Sequence, residues 1–280
     1  MNRVRVVTED GVNLIGFKYE GNNEEWNIII PGVDGNIMTN EFIVYMGEYL
    51  SSKGHTFLFS HHRGSFQIIS SNSLDPSISG VTIGSVFEQF NDSIYDIKAW
   101  IKYAIDNGAK KINLLAHSHG CNKMINFLAK NHEYDDYINK IILISPLDLR
   151  TRMNKRRELD ELYKQAEKAK KSEGLGNFVC CGFFYKDSSS FYDMMENENI
   201  DNFPMMSENK NDFSIFNSIK KDKYIVYGSD ETKYTKQYDI KKPFFNEHVK
   251  TLDIIEGANH IYQGKEEELA KYVLDIIRKV

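Results

Sequence analysis

The spacing of apolar and polar positions changes period along the chain, and the changes mark out its elements. Val4–Thr8 and Asn13–Tyr19 are β-rich runs on either side of the turn signal Glu9-Asp10-Gly11, which predicts an opening hairpin. Trp26–Ile30 is a continuous apolar run ending at Pro31-Gly32, the pattern of a strand buried on both faces, and Thr56–Phe59 is a second. Between them Glu41–Lys53 repeats apolar residues at helical spacing and stops at Gly54, where a helix-ending glycine belongs. A helical pattern runs from about Val86 to Asp106 and ends at Asn107-Gly108. Lys111–Ala116 then reads as a strand, His119 to Lys130 as a helix, and Ile138–Ser145 as the next buried strand. Repeated alternation of strand and helix predicts an α/β fold with a mostly parallel central sheet covered by helices on both faces.

Regularity breaks at about Leu147 and returns near Ile219. The interval is charged and helical at first (Glu158 to Lys171), then aromatic and broken by Gly and Ser, with no clean strand to extend the sheet. It reads as a helical cap inserted over the carboxyl edge of the sheet. Lys223–Tyr227 and Lys250–Ile255 resume the strand pattern, and Glu266–Arg278 closes the chain as a helix with Leu269, Tyr272, Val273 and Ile276 on one face. The expected organisation is a core in two parts, 1–146 and 220–280, with the cap insertion at 147–219.

Composition narrows the function classes. At 280 residues, 41% hydrophobic and 27% charged, the chain can bury one large core and is neither disordered nor fibrous. A net charge of −5 without a dominant Arg/Lys stripe argues against a nucleic-acid partner, and the basic run Arg150–Arg157 reads as a solvated helix face. No apolar run approaches the roughly 20 residues of a membrane span. The stretch Met1–Asp10 has no apolar core of a secretory signal, and Cys121, Cys180 and Cys181 make neither a disulfide framework nor a zinc set. A cytoplasmic protein without metal or cofactor is expected.

The most informative segment is Ile112-Asn113-Leu114-Leu115-Ala116-His117-Ser118-His119-Gly120-Cys121. A buried strand runs through a sharp turn into a helix, with serine at the apex and small residues two positions to either side. This is the G-x-S-x-G nucleophile elbow with Ala116 in place of the first glycine. A serine hydroxyl needs an adjacent base, and the base a carboxylate to orient it. On such elbows the chain order is Ser, then Asp or Glu, then His. His260, in Gly257-Ala258-Asn259-His260 just past the final strand, is the expected base. His248 would sit at the opposite end of that strand, and His117 and His119 flank the serine with their rings directed away. Asp230 and Glu231, in Tyr227-Gly228-Ser229-Asp230-Glu231, both end the penultimate strand; Asp230 is favoured, with Asp148 a third candidate one strand earlier. Charge developing on a carbonyl oxygen calls for two convergent backbone N–H groups. His119 is expected to supply one and Val33, in Pro31-Gly32-Val33-Asp34-Gly35, the other.

Taken together these segments resemble the α/β-hydrolase superfamily over nearly the whole chain apart from the cap. Within it they are similar to a branch that includes fungal siderophore ester hydrolases, in which the aspartate falls two residues after the glycine, and this resemblance supports Asp230. Ser60-His61-His62-Arg63-Gly64-Ser65 is similar to the D-x-R-G-x-G loop of many such hydrolases, with Ser60 replacing the usual aspartate. Ala116, the bulky His119 and the unmatched cap depart from the pattern. The resemblance implies the α/β-hydrolase fold and hydrolysis of an ester, thioester or amide, and does not extend to siderophore cleavage. His61 and Asp34 are expected to line a substrate pocket. The cap side chains Phe178, Phe183, Phe184, Tyr185, Phe191 and Met194 fit either a deformable apolar lid or the cap's own packing.

The leading expectation is therefore a serine hydrolase acting on a small-molecule acyl substrate, with a homodimer as one assembly open to it. Thioester cleavage or acyl transfer would use the same residues. A small-molecule receptor on the same fold is the non-catalytic alternative, because fold alone does not imply activity.

Overall fold

The computed structural model describes residues 1–21, 24–71, 80–172, 177–182, 184–208 and 212–279. The chain opens with the hairpin β1 (Asn2–Val7) and β2 (Asn13–Tyr19), followed by β3 (Glu25–Ile30), α1 (Glu41–Ser52), β4 (Thr56–Ser60) and the short pair β5 (Ile69–Ser71) and β6 (Val81–Ile83). Then come α2 (Ser93–Asp106), β7 (Lys111–His117), α3 (His119–Lys130) and β8 (Ile138–Ile144). An insertion carries α4 (Leu149–Asn154), α5 (Leu159–Lys170), the hairpin β9 (Phe178–Cys180) and β10 (Tyr185–Asp187), α6 (Ser188–Glu196) and α7 (Ser214–Ser218). The chain ends with β11 (Asp222–Gly228), α8 (Thr232–Thr235), α9 (Tyr238–Lys241), β12 (Val249–Ile255) and α10 (Glu266–Arg278).

Eight strands form one sheet in the order β1-β2-β4-β3-β7-β8-β11-β12. The β1–β2 and β2–β4 pairs are antiparallel, and from β4 to β12 every pair is parallel. The continuous apolar runs explain why both faces are covered, since successive side chains in a strand point to opposite sides. Ile28, Ile30, Leu58, Leu114, Ala116, Ile141 and Leu143 join the core beneath α2 and α3. Their neighbours Ile29, Phe57, Phe59, Leu115, Ile142 and Ile144 join a second core beneath α1 and α10. Among the described residues no helix is long and apolar enough to cross a membrane.

The helix expected from Val86 starts later, at Ser93, after a 3-10 turn at Phe90–Asp92. Its expected first turns are committed elsewhere. The Val86 carbonyl accepts from the Asp187 N–H at 2.8 Å, the Glu88 carbonyl from the Ser190 hydroxyl at 2.6 Å, and the Phe90 N–H donates to the Asp193 carboxylate at 2.6 Å. Residues 86–90 thus strap α6 of the insertion to the body of the protein, and tertiary bonds override the helical period.

The insertion leaves the carboxyl end of β8 and packs on α3 and on this strap. Phe191, Met194, Phe203, Met205 and Phe216 are buried in the same continuous core as Phe127 and Leu128 of α3. Of the aromatic and sulfur side chains singled out above, Phe184, Phe191 and Met194 are buried, Phe178 is half-buried and Tyr185 is exposed; Phe183 lies outside the described residues. The pairing of β9 with β10 stands apart from the main sheet, as the absence of a clean strand pattern in this interval predicts.

One buried ion pair ties the strap to the core. Glu88 accepts from the ammonium of Lys123 on α3, and both side chains are almost wholly enclosed. Gly64 makes room for the pair, because a Cβ there would lie 2.5 Å from the Glu88 carboxyl. Burial pushes the Glu88 carboxyl up, but the ammoniums of Lys123 and Lys186 outweigh it and hold the group down at about 2. A depressed carboxylate stabilises the fold fully above its unfolded pKa, near 4.3, and that contribution fades as pH falls towards 2. Glu88→Ala leaves the Lys123 charge buried and alone, and the expected cost is about 3–5 kcal/mol in urea-unfolding free energy at neutral pH. The difference from the wild type should narrow as the titration is repeated from pH 4.5 downwards.

Candidate active site

The carboxyl ends of parallel strands are where an α/β sheet presents its chemistry, and three chain segments meet there. Ser118 stands between β7 and α3 with φ +56°, a left-handed backbone unusual for a residue with a side chain. The turn is possible because its flanks are small. A Cβ on Gly120 would lie 2.4 Å from the Ile30 carbonyl oxygen and 2.5 Å from that of Pro31, so only glycine lets α3 approach the end of β3 this closely. Ala116 is fully buried, and its position in the strand tolerates a methyl group. The Ser118 N–H is fixed by the Ile144 carbonyl at 2.9 Å.

His260 arrives on the loop after β12. Its Nε2 is 2.9 Å from Ser118 Oγ and its Nδ1 is 2.6 Å from Glu231 Oε2. A carboxylate can only accept, so Nδ1 carries the proton and Nε2 presents its lone pair to the serine hydroxyl. Ser118 is 6% exposed, whereas about a third of the His260 side chain remains open at 34%. The hydroxyl is recessed and the imidazole marks its open side.

Glu231, and not the favoured Asp230, is the carboxylate that meets the imidazole. After β11 the chain turns, with the Glu231 N–H donating to the Gly228 carbonyl at 3.1 Å and the Asp230 N–H to the Ala258 carbonyl at 3.0 Å. This turn leaves the Asp230 side chain exposed and brings residue 231 back to the sheet edge, where it is buried. Glu231 is also the better held. Its second oxygen accepts from the Gly228 N–H at 3.0 Å and from the Ser145 hydroxyl, which in turn lies 2.9 Å from the Tyr262 hydroxyl. Asp148 is excluded from the set, because its two oxygens accept from the N–H groups of Thr151 (3.0 Å) and Met206 (2.7 Å), capping α4 and fixing the insertion.

The loop after β3 lies against the serine. A Cβ on Gly32 would fall 2.8 Å from Ser118 Cβ and 3.2 Å from its Oγ, so the absence of a side chain there lets the main chain of this loop pack against the serine. His119 opens α3, and a helix's first N–H has no acceptor within its own helix. The loop is held in shape by the Gly35 N–H on the Gly32 carbonyl (3.1 Å), by Asn36 Nδ2 on the Asp34 carbonyl (2.7 Å) and by the Ser85 hydroxyl on the Asp34 carboxylate. Asp34, at φ +59°, thus serves the turn.

His61 has a structural role in the neighbouring segment. Its Nε2 accepts from the Ile37 N–H at 2.9 Å, and its ring sits between Phe17, Phe59 and Phe66 at 5.1–5.4 Å. Burial holds this imidazole down at about 4, consistent with a neutral ring that accepts through Nε2. It braces the loop that carries Val33 and borders a small cavity together with His62, Phe66 and Ile83. Arg63 in the same segment binds the buried Asp96 through its Nε and Nη2 and also reaches Asp10 and Asp92.

Ser145 and Tyr262, which complete the surroundings of Glu231, carried no signal in the sequence. A hydroxyl at a strand end is common, and only the fold brings positions 145, 231 and 262 together. Glu231 was visible as an adjacent carboxylate, and the direction of a four-residue turn decided against its neighbour.

A family model described as serine hydrolase matches residues 93–174, the stretch that contains the elbow. Among curated proteins none matches the chain. Solved structures resemble it at low identity and nearly full length. The α/β-hydrolase GrgF from Penicillium sp. sh18 superposes with a TM-score of 0.66 at 15% identity, covering 98% of this chain and 96% of that one. Est1E from Butyrivibrio proteoclasticus, with ferulic acid bound, gives 0.64 at 18% identity and 98% of both chains. The Pyrococcus furiosus esterase Pf2001 gives 0.57 at 18% identity, covering 97% of this chain and 88% of that one. With its mostly parallel eight-stranded sheet the chain has the α/β-hydrolase fold, and its segment around Ser118 matches a serine-hydrolase family model.

Proposed function

We propose that the protein cleaves carboxylic esters through an acyl-enzyme on Ser118, with His260 as the base and Glu231 as the carboxylate that orients it. The observation that carries this reading is the unbroken line from Ser118 Oγ to His260 Nε2 (2.9 Å) and from His260 Nδ1 to Glu231 Oε2 (2.6 Å). Ser118 Oγ attacks the carbonyl carbon while its proton passes to Nε2. The imidazolium so formed is stabilised by the Glu231 carboxylate, and the Val33 and His119 N–H groups receive the oxyanion. Collapse of the tetrahedral intermediate breaks the ester C–O bond, and Nε2 returns the proton to the departing alkoxide. Water, deprotonated by the same nitrogen, then attacks the acyl-enzyme, releasing the carboxylic acid and the free serine.

The match of the elbow segment to a serine-hydrolase model supports the nucleophile. The ferulic acid held by the structurally similar Est1E makes hydroxycinnamate esters a reasonable part of the substrate set. The test is turnover of a panel containing p-nitrophenyl acetate and butyrate, methyl ferulate and an acyl thioester, with acid release followed directly. Measurable hydrolysis of at least one oxygen ester is expected. Inertness towards all the oxygen esters, with turnover of the thioester alone, would move the reading to thioester cleavage.

A further inference from the structure

His117 precedes the nucleophile, and the acyl-transfer scheme gives it no task. It is nonetheless almost completely buried, and its Nε2 lies 2.8 Å from the backbone carbonyl oxygen of His260. A carbonyl oxygen only accepts, so Nε2 carries the proton and donates it. The other ring nitrogen, Nδ1, is buried with no partner among the described residues, so the Nε2 bond is the ring's one polar contact there. Phe42 meets the ring edge-on with centroids 4.8 Å apart, and the His260 imidazole lies against it at 4.9 Å. Burial holds the His117 imidazole down at about 3, so its tautomer persists across the range in which esterases are assayed.

The loop that bears His260 is anchored on either side of that residue, by the Gly257 N–H on the Ser229 hydroxyl (2.8 Å), the Asp230 N–H on the Ala258 carbonyl (3.0 Å) and the Tyr262 N–H on the Asn259 carbonyl (3.0 Å), none of which engages the main chain of residue 260. The side chain is held by Glu231, and two residues later Tyr262 (φ +53°) places its hydroxyl near the Val226 carbonyl at 3.3 Å and Ser145 at 2.9 Å. None of these contacts fixes the backbone of residue 260 itself. The bond from His117 does so, and it starts from the last residue of β7, next to Ser118. The serine and its base are therefore tied twice: once through their side chains and once from the residue beside one to the main chain of the other.

We infer that His117 is a positioning residue for the base, clamping the main chain of His260 to the strand that presents Ser118. The inference rests on the proposed Ser118–His260 chemistry. It assigns to His117 an effect on the attack step and none on substrate affinity, because the donor touches the base's backbone and not the open side of the site. Misplacing a reacting group by about 1 Å can cost about 100-fold.

Three substitutions separate the donor from the packing. His117→Gln retains an N–H at the end of a flexible chain, His117→Met has the same length without a donor, and His117→Phe retains a ring without one. On an ester that the wild type cleaves, Met and Phe should lower kcat by roughly 10- to 100-fold with KM changed less than about threefold, and Gln should recover most of the loss. Thermal melting of each variant identifies any that is unfolded at the assay temperature, and the comparison of Gln with Met stands even if Phe does not fold. Equal kcat for Gln and Met, or a loss carried by KM, overturns the inference. Wild-type inertness towards every ester would instead strike the proposed function, so the two failures read differently.

Discussion

Ser118→Ala is expected to lower kcat/KM on p-nitrophenyl esters by roughly 1,000-fold or more while leaving the melting temperature close to that of the wild type. The size of the loss follows from removing the proposed nucleophile. The proposed oxyanion donors remain in place, so a residual rate above water is expected. Stability should be spared because, among the described residues, the hydroxyl's hydrogen-bond partner is His260 and no structural bond is lost with it. The left-handed turn is held instead by the Ser118 N–H on Ile144 and by the close approach at Gly120, and alanine retains the backbone that makes both. A steady-state assay with a melting curve checks both halves. A loss of less than about tenfold would mean that another group carries the attack.

The second large effect separates two adjacent carboxylates. Glu231→Gln should lower kcat by about 100- to 10,000-fold, because the amide can no longer hold Nδ1–H and stabilise the imidazolium, and it favours the wrong tautomer. Asp230→Ala should leave kcat within about threefold of the wild type, since its side chain is exposed and does not reach the imidazole. Glu231→Asp is informative as well. The carboxylate retreats by one methylene from both His260 and the Ser145 hydroxyl, and its rate should fall between those of the wild type and Glu231→Gln. A reversed ranking, with Asp230→Ala inactive and Glu231→Gln active, would restore the acid that the sequence favours.

The fold was legible because its strands are apolar on both faces and its helices end at glycine or at polar turns. The core strands fall within a residue or two of their expected bounds, and α10 matches its predicted span. Strong local signals also made the serine and the histidine visible: an elbow flanked by small residues, and a histidine just beyond the last strand. Where local pattern and tertiary bonding compete, the sequence was a poorer guide. Residues 86–90 have helical periodicity, yet the Glu88–Lys123 pair and the bonds to Asp187, Ser190 and Asp193 draw them into a strap.

The carboxylate beside His260 differs from the favoured one for another reason. Asp230 and Glu231 differ by one step along the chain, and the turn closed between Gly228 and Glu231 sends one outward and the other inward. No periodicity records the sense of such a turn. His61 likewise looked available from its place beside the Arg-Gly segment, but three aromatic rings and the Ile37 N–H enclose it. The insertion's aromatic residues had two readings open from composition, and Phe184, Phe191, Phe203 and Phe216 fall on the side of packing, since they join the continuous core.

Covalent labelling tests the central claim most directly. The wild-type protein is treated with a fluorophosphonate, digested, and the modified peptide sequenced by mass spectrometry, alongside Ser118→Ala and Glu231→Gln. The account predicts one adduct, on Ser118, formed slowly in Glu231→Gln and absent from Ser118→Ala. An unmodified protein, or an adduct on a different serine that persists in Ser118→Ala, would contradict it.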